Sequence, residues 1–100
     1  MATPESKVQS KIIKHLELDG YFVVKLMATN KNGIPDLLAV KTGSLNLWIE
    51  VKTVDGKLSK LQSHRHNELQ KVGQAVLVPF GYEDFVFLYS YVIKNIENGS

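Results

Sequence analysis

No cysteine occurs in the 100-residue chain, so disulfides and thiolate metal sites are excluded, and any metal must be held by oxygen or imidazole ligands. Oxygen ligands suit magnesium, manganese or calcium. Nor is there a run of about 18 apolar residues that could span a bilayer. The first residues, MATPESK, lack the apolar stretch of a secretory signal. The expectation is a soluble, cytoplasmic protein. Internal repeats, low-complexity tracts and linkers are missing too, and the length leaves no room for a second domain. Residues 1–100 read as one unit, and a hydrophobic content of 44% suffices for a single modest core.

The charge that is present lies unevenly. Net charge is only +2, but residues 1–71 carry 11 of the 12 basic groups against 7 acids, while residues 72–100 carry one base and three acids. A polyanion would be drawn to the first two thirds of the chain.

Thr3 followed by Pro4 signals a helix start, since threonine caps free amides and proline suits the first helical position. Val8, Ile12, Ile13 and Leu16 then recur at helical spacing until Asp19 and Gly20, which predicts a helix over 4–18. YFVVKLMA (21–28) reads as a strand and TNKNG as a turn. Ile34 is biased to an extended form by Pro35, and DLLAVK (36–41) reads as a second strand. After the turn KTGS comes LNLWIEVKT (45–53), a third strand broken by VDG. Ser59 can cap a helix over 60–72, with Leu61 and Leu69 on one side and Gln62, His64, Arg65, His66 and Gln70 as a polar array; Gly73 stops it. QAVLVPF (74–80) reads as a fourth strand, its AVLV run suggesting burial on both faces. Phe85, Leu88, Tyr89, Val92, Ile93 and Ile96 follow a helical series, which predicts a last helix over 82–97. The order is αβββαβα, an α/β (α+β) arrangement.

The third strand contains a conflict. In LWIEVKT four residues are large and apolar, yet Glu50 and Lys52 interrupt them. If the preceding turn centres near Gly43, paired residues have numbers summing to about 86, which puts Asp36 opposite Glu50. Directly opposed side chains share a face, with Cβ atoms about 4.5–5.5 Å apart, and like charges there destabilise the sheet. Lys52, two residues on, shares that face. A lysine alone could be an ordinary partner for Glu50 on a solvated face. The two carboxylates repel unless one is protonated or a cation lies between them, and a divalent ion removes the conflict.

These residues carry a resemblance. Gly33-Ile34-Pro35-Asp36, thirteen residues, then Glu50-Val51-Lys52 resembles the PD-(D/E)XK nuclease motif. With Glu5 and Gln9 on an upstream helix and a glutamine on the helix after ExK, it resembles the VRR-NUC (virus-type replication-repair nuclease) branch of that superfamily. The resemblance runs from Glu5 to the terminal helix and implies a restriction-endonuclease-like αβββαβ core: a mixed sheet flanked by helices, plus a C-terminal helix. It implies Mg2+ as cofactor, with Mn2+ substituting, held by Asp36, Glu50, the Val51 carbonyl and, through a second ion or its water, Glu5. Lys52 would orient water or neutralise developing charge, and Gln62 would assist. Glu5 has a plain alternative, because an acid in a first helical turn favours the helix dipole. Gln9 lies one turn after Glu5 on the same face and is a candidate to hold Glu5 or a nucleic-acid phosphate, its plain alternative being a solvated side chain.

Lys25, Asn30, Lys31, Lys60 and Arg65 are candidates for the nucleic-acid backbone. His64 and His66, two apart, cannot share a helix face, which argues against a histidine metal site. His15 is read as a surface or partly buried helix residue, and Trp48 as core rather than a base contact. The expected activity is metal-dependent hydrolysis of phosphodiesters in structured or branched DNA, such as a Holliday junction in replication or repair. The resemblance further implies a small stand-alone, phage-type protein acting as a homodimer, in the host cytoplasm if phage-encoded. The alternatives are a non-catalytic nucleic-acid-binding module and a small interaction protein. Paired acids facing a polyanion argue against the first, and the second would neither bind magnesium nor cut.

Overall fold

The computed structural model describes residues 3–99, with side chains to residue 95. Seven elements follow in the expected order: α1 (Pro4–Leu18), β1 (Phe22–Lys25), β2 (Leu37–Val40), β3 (Leu47–Ile49), α2 (Lys60–Lys71), β4 (Ala75–Leu77) and α3 (Tyr82–Gly99). Thr3 caps α1, its Oγ1 accepting from the Ser6 amide at 3.0 Å. At the other end the Tyr21 amide reaches back to the Leu16 carbonyl across Gly20, whose φ of +92° an L side chain adopts only with strain. The side chain of Ile96, counted above in the α3 series, lies outside the described residues.

The sheet has the order β1-β2-β3-β4. The first three strands are antiparallel, and β4 lies parallel to β3, the crossover between them being α2. The β2–β3 register pairs Leu37 with Ile49, Leu38 with Trp48 and Ala39 with Leu47, sums of 86 in each case. Gly43 takes the positive φ of +78° that this turn requires. Asp36 and Glu50 are therefore the next pair beyond the ladder.

Alternation then separates two faces. Leu37, Ala39, Leu47, Ile49 and Val51 point into the core, where Ile12 and Leu16 of α1 and Phe85 and Tyr89 of α3 meet them. The opposite face carries Leu38, Trp48 and Glu50, and α2 lies over its β4 side. His15, partly buried as expected, packs edge-on against Tyr82, Phe85 and Tyr89 and bonds the Tyr82 hydroxyl through Nδ1 at 2.9 Å.

Three expectations need correction. The strands are shorter than the β-rich runs suggested, because pairing ends where a partner does: past Lys25 the Leu26 amide still bonds the Asp36 carbonyl at 2.8 Å, and the β1–β2 ladder goes no further among the described residues. The AVLV run is not buried on both faces. β4 is an outer strand, so Ala75, Val76 and Val78 are only half covered. In α2, Leu61 is 43% exposed, and it is His66 from the polar array that is buried.

Candidate active site

The site begins where β2 and β3 part. On the β4 side the ladder continues, the Glu50 amide donating to the Leu77 carbonyl at 2.9 Å and the Lys52 amide to the Pro79 carbonyl at 3.0 Å. On the β2 side Pro35 has no amide to offer, and the Asp36 carboxylate takes over: its Oδ2 accepts from the Val51 amide at 2.8 Å. That bond draws Asp36 against the Glu-Val-Lys segment. The Val51 carbonyl accepts no hydrogen bond among the described residues.

Glu50 is 1% exposed. Burial, and next the neighbouring Asp36 carboxylate, push its carboxyl up to about 8; Lys52 pulls the other way and Glu5 adds a smaller upward push. On the α2 side two nitrogens reach it, Gln62 Nε2 donating at 3.4 Å from Oε2 and His66 Nε2 lying 3.3 Å from Oε1, a donor to the ionised carboxylate in the tautomer that carries its proton on Nε2. The Gln62 amide has little choice of orientation. Gln62 sits third in α2 and closes a capping box with Ser59: the Ser59 amide donates to Gln62 Oε1 at 2.9 Å, and Ser59 Oγ accepts from the Gln62 amide at 3.1 Å. With its oxygen held there, its NH2 faces Glu50.

Gly33 explains how the Gly-Ile-Pro-Asp loop reaches α2. Its φ is +83°, and a Cβ added there would stand 2.7 Å from Leu61 Cγ and 3.2 Å from the Leu61 carbonyl carbon. Only glycine allows this approach, one residue from Gln62. Arg65 fastens the same loop, its Nε donating to the Asn32 carbonyl at 2.8 Å and its guanidinium also pairing with Glu68 at 2.7 Å.

Lys52 is half buried and makes no ion pair within 4.0 Å among the described residues, so the plain Glu-x-Lys surface pair is not formed. Its backbone is clamped by Pro79 and by the Gly81 amide, which donates to the Lys52 carbonyl at 2.9 Å. Gly56 lies against its stem, where a Cβ would come within 3.2 Å of Lys52 Cβ and 3.3 Å of Cδ. The structure thus brings together Asp36, Glu50, Val51, Lys52 and Gln62. Glu5 is exposed and near enough only to influence Glu50 through space. No group of three or more acidic, histidine or cysteine side chains is placed to hold a metal among the described residues, so Glu5 is not gathered into the pair. Gln9 is partly covered; Lys25, Asn30, Lys31 and Lys60 are exposed. Trp48 is half buried and fixed by its Nε1 donating to Gln74 Oε1 at 2.8 Å.

His66 is the residue that sequence reasoning missed. It is 5% exposed, and burial, with Lys52 adding to it, lowers its pKa, so the ring is neutral near neutral pH. The available signal was its spacing: His66 lies four residues after Gln62, on the same helix face.

The donor set fits a small hard cation. Two adjoining carboxylates and a free carbonyl are oxygen donors, and their number suits an ion that keeps several waters, as magnesium does. The cost of charging Glu50 beside Asp36 is what such an ion would offset.

No family model matches the chain, and no curated protein does. Among solved structures, one described as a VRR_NUC domain is similar over 99% of this chain and 100% of its own, at 29% identity and a TM-score of 0.75. Another, described as a VRR_NUC domain protein, is 20% identical with a TM-score of 0.74, covering 94% of this chain and 91% of its own.

Proposed function

We propose, from the similarity of this fold to that of a solved VRR_NUC domain, that the chain is a nuclease, and more narrowly a Mg2+-dependent endonuclease, accepting Mn2+, that hydrolyses phosphodiesters in branched or otherwise structured DNA. The observation that supports this most is Glu50: a carboxylate 1% exposed and set beside Asp36, an arrangement that costs stability unless a cation shares it. Asp36, Glu50 and the Val51 carbonyl would hold the ion, and when bound it would supply Lewis-acid charge and a more acidic water.

The chain's own groups do the rest. Lys52 presents a compact ammonium, not drawn into an ion pair, towards charge developing on phosphate oxygens. Gln62 holds Glu50 in place. Glu5 and Gln9, at the start of α1, act on the approaching phosphate or its water, and Lys25, Asn30, Lys31, Lys60 and Arg65 lie along the strand's path, Arg65 with part of its guanidinium already committed to Asn32 and Glu68. So small a surface favours reading shape and backbone over a long base sequence. A Holliday-junction resolvase working as a homodimer, in the host cytoplasm if phage-encoded, is the narrowest form of the proposal.

Labelled four-way junction, flap, single-stranded and linear duplex DNA, each with Mg2+, Mn2+ or EDTA, test it beside an Asp36→Asn control. Cutting that needs metal and is lost in Asp36→Asn is the expected result. Cutting that survives the substitution would reject the site, and binding without cutting under every metal would favour a non-catalytic module.

A further inference from the structure

We propose that His66 is a positioning residue of this site: together with Gln62 it grips the Glu50 carboxylate from the α2 side and fixes which of its lone pairs face Asp36 and an arriving divalent cation. The inference rests on the nuclease reading above. A carboxylate presents two oxygens and about four lone-pair directions, and the last torsion of a glutamate is soft, so nothing in the side chain itself chooses among them. Here each oxygen meets a different nitrogen, Oε1 lying 3.3 Å from His66 Nε2, which donates to the ionised carboxylate in the Nε2–H tautomer, and Oε2 lying 3.4 Å from Gln62 Nε2. Rotation of the group therefore breaks one contact or the other.

The two donors are held independently of Glu50. Gln62 is oriented by the capping box with Ser59, and His66, 5% exposed, is confined by its packing one helical turn later. A residue present only to fill space would not need a ring nitrogen facing Oε1. An apolar side chain of similar size would leave that oxygen without a partner at a place where Glu50 is 1% exposed. Partners behind a metal ligand typically change metal affinity by about 10–100-fold when removed.

The test compares His66→Phe, which keeps a ring and loses the donor, with His66→Asn, which keeps a donor. Mn2+ is titrated calorimetrically into each protein without DNA, and kcat and KM are measured separately on the best-cut DNA. His66→Phe is expected to bind Mn2+ about 10-fold or more weakly and to lose kcat with little change in KM, and His66→Asn to recover most of both. Parent-like Mn2+ affinity in His66→Phe would overturn the inference. Should circular dichroism show that His66→Phe does not fold, His66→Ala against His66→Asn makes the same comparison. Glu50→Gln separates the two levels of the argument: if it still binds Mn2+ and cuts, the metal-site reading fails, whereas loss in Glu50→Gln with none in His66→Phe rejects only the role of His66.

Discussion

Replacing Glu50 by glutamine should stabilise the metal-free protein at pH 8 while abolishing cleavage. In the fold the Glu50 carboxyl is raised from 4.5 to about 8, first by burial and then by Asp36. Between those values the native chain keeps a proton that the unfolded chain has released, so stability falls as pH rises. The penalty is absent below about 4.5, grows through the interval and is complete above about 8. About 3.5 pH units at ~1.4 kcal/mol each is on the order of 5 kcal/mol, comparable with the whole stability of many small domains. Glutamine keeps the volume without the charge, and its amide can accept from Gln62 Nε2 while donating to His66 Nε2 in the ring's other tautomer. Urea denaturation in EDTA at pH 5, 6.5 and 8 reads the effect. The parent's midpoint should fall across this range. That fall should vanish in Glu50→Gln, leaving the opposite trend from His66, whose lowered pKa costs stability as pH drops below about 6.5. Saturating Mg2+ should restore the parent most at pH 8. A variant less stable than the parent at pH 8 in EDTA, or one that keeps the parent's slope, would refute the reasoning.

Asp36→Asn should lose metal-dependent cleavage yet stay folded, because an amide oxygen can still accept from the Val51 amide; circular dichroism and the junction assay check the two halves. Gly33→Ala should cost about 1–3 kcal/mol in urea denaturation for its positive φ alone, with the contact to Leu61 adding to it, and should lower cleavage by moving the loop off α2. Neutralising Lys25, Lys31 or Lys60 to glutamine should weaken DNA binding evenly across substrates. Each such change should reduce the slope of log affinity against log salt by about 1, and an unchanged slope would place that lysine off the DNA.

The hairpin was legible because turn chemistry and strand period are local: Gly43 in KTGS set the register, and the register put Asp36 against Glu50. Thr3-Pro4 and Ser59 marked their helices for the same reason. What escaped notice depends on packing between distant elements. His66 looked like part of a solvated face because α2 has few apolar residues, and the side it lays on the sheet is polar since it meets a carboxylate there. The bond from Arg65 to the Asn32 carbonyl was not legible, because that partner is a backbone group 33 residues away that no composition or spacing reveals. AVLV looked central because its sequence says nothing about whether another strand lies beyond it.

Gln62 lies in the first turn of α2 and also touches Glu50, so the start of the helix and the hold on the carboxylate share one side chain. Whenever the first turn of α2 frays, the Ser59 amide lets go of Gln62 Oε1 and the Glu50 carboxylate loses one of its two fixed neighbours in the same motion. Hydrogen exchange at the Ser59 amide thus becomes a clock for the site. Its protection reports the fraction of time the carboxylate is held, and a ligand that binds the assembled site should slow that exchange before it changes the exchange of any residue in the core.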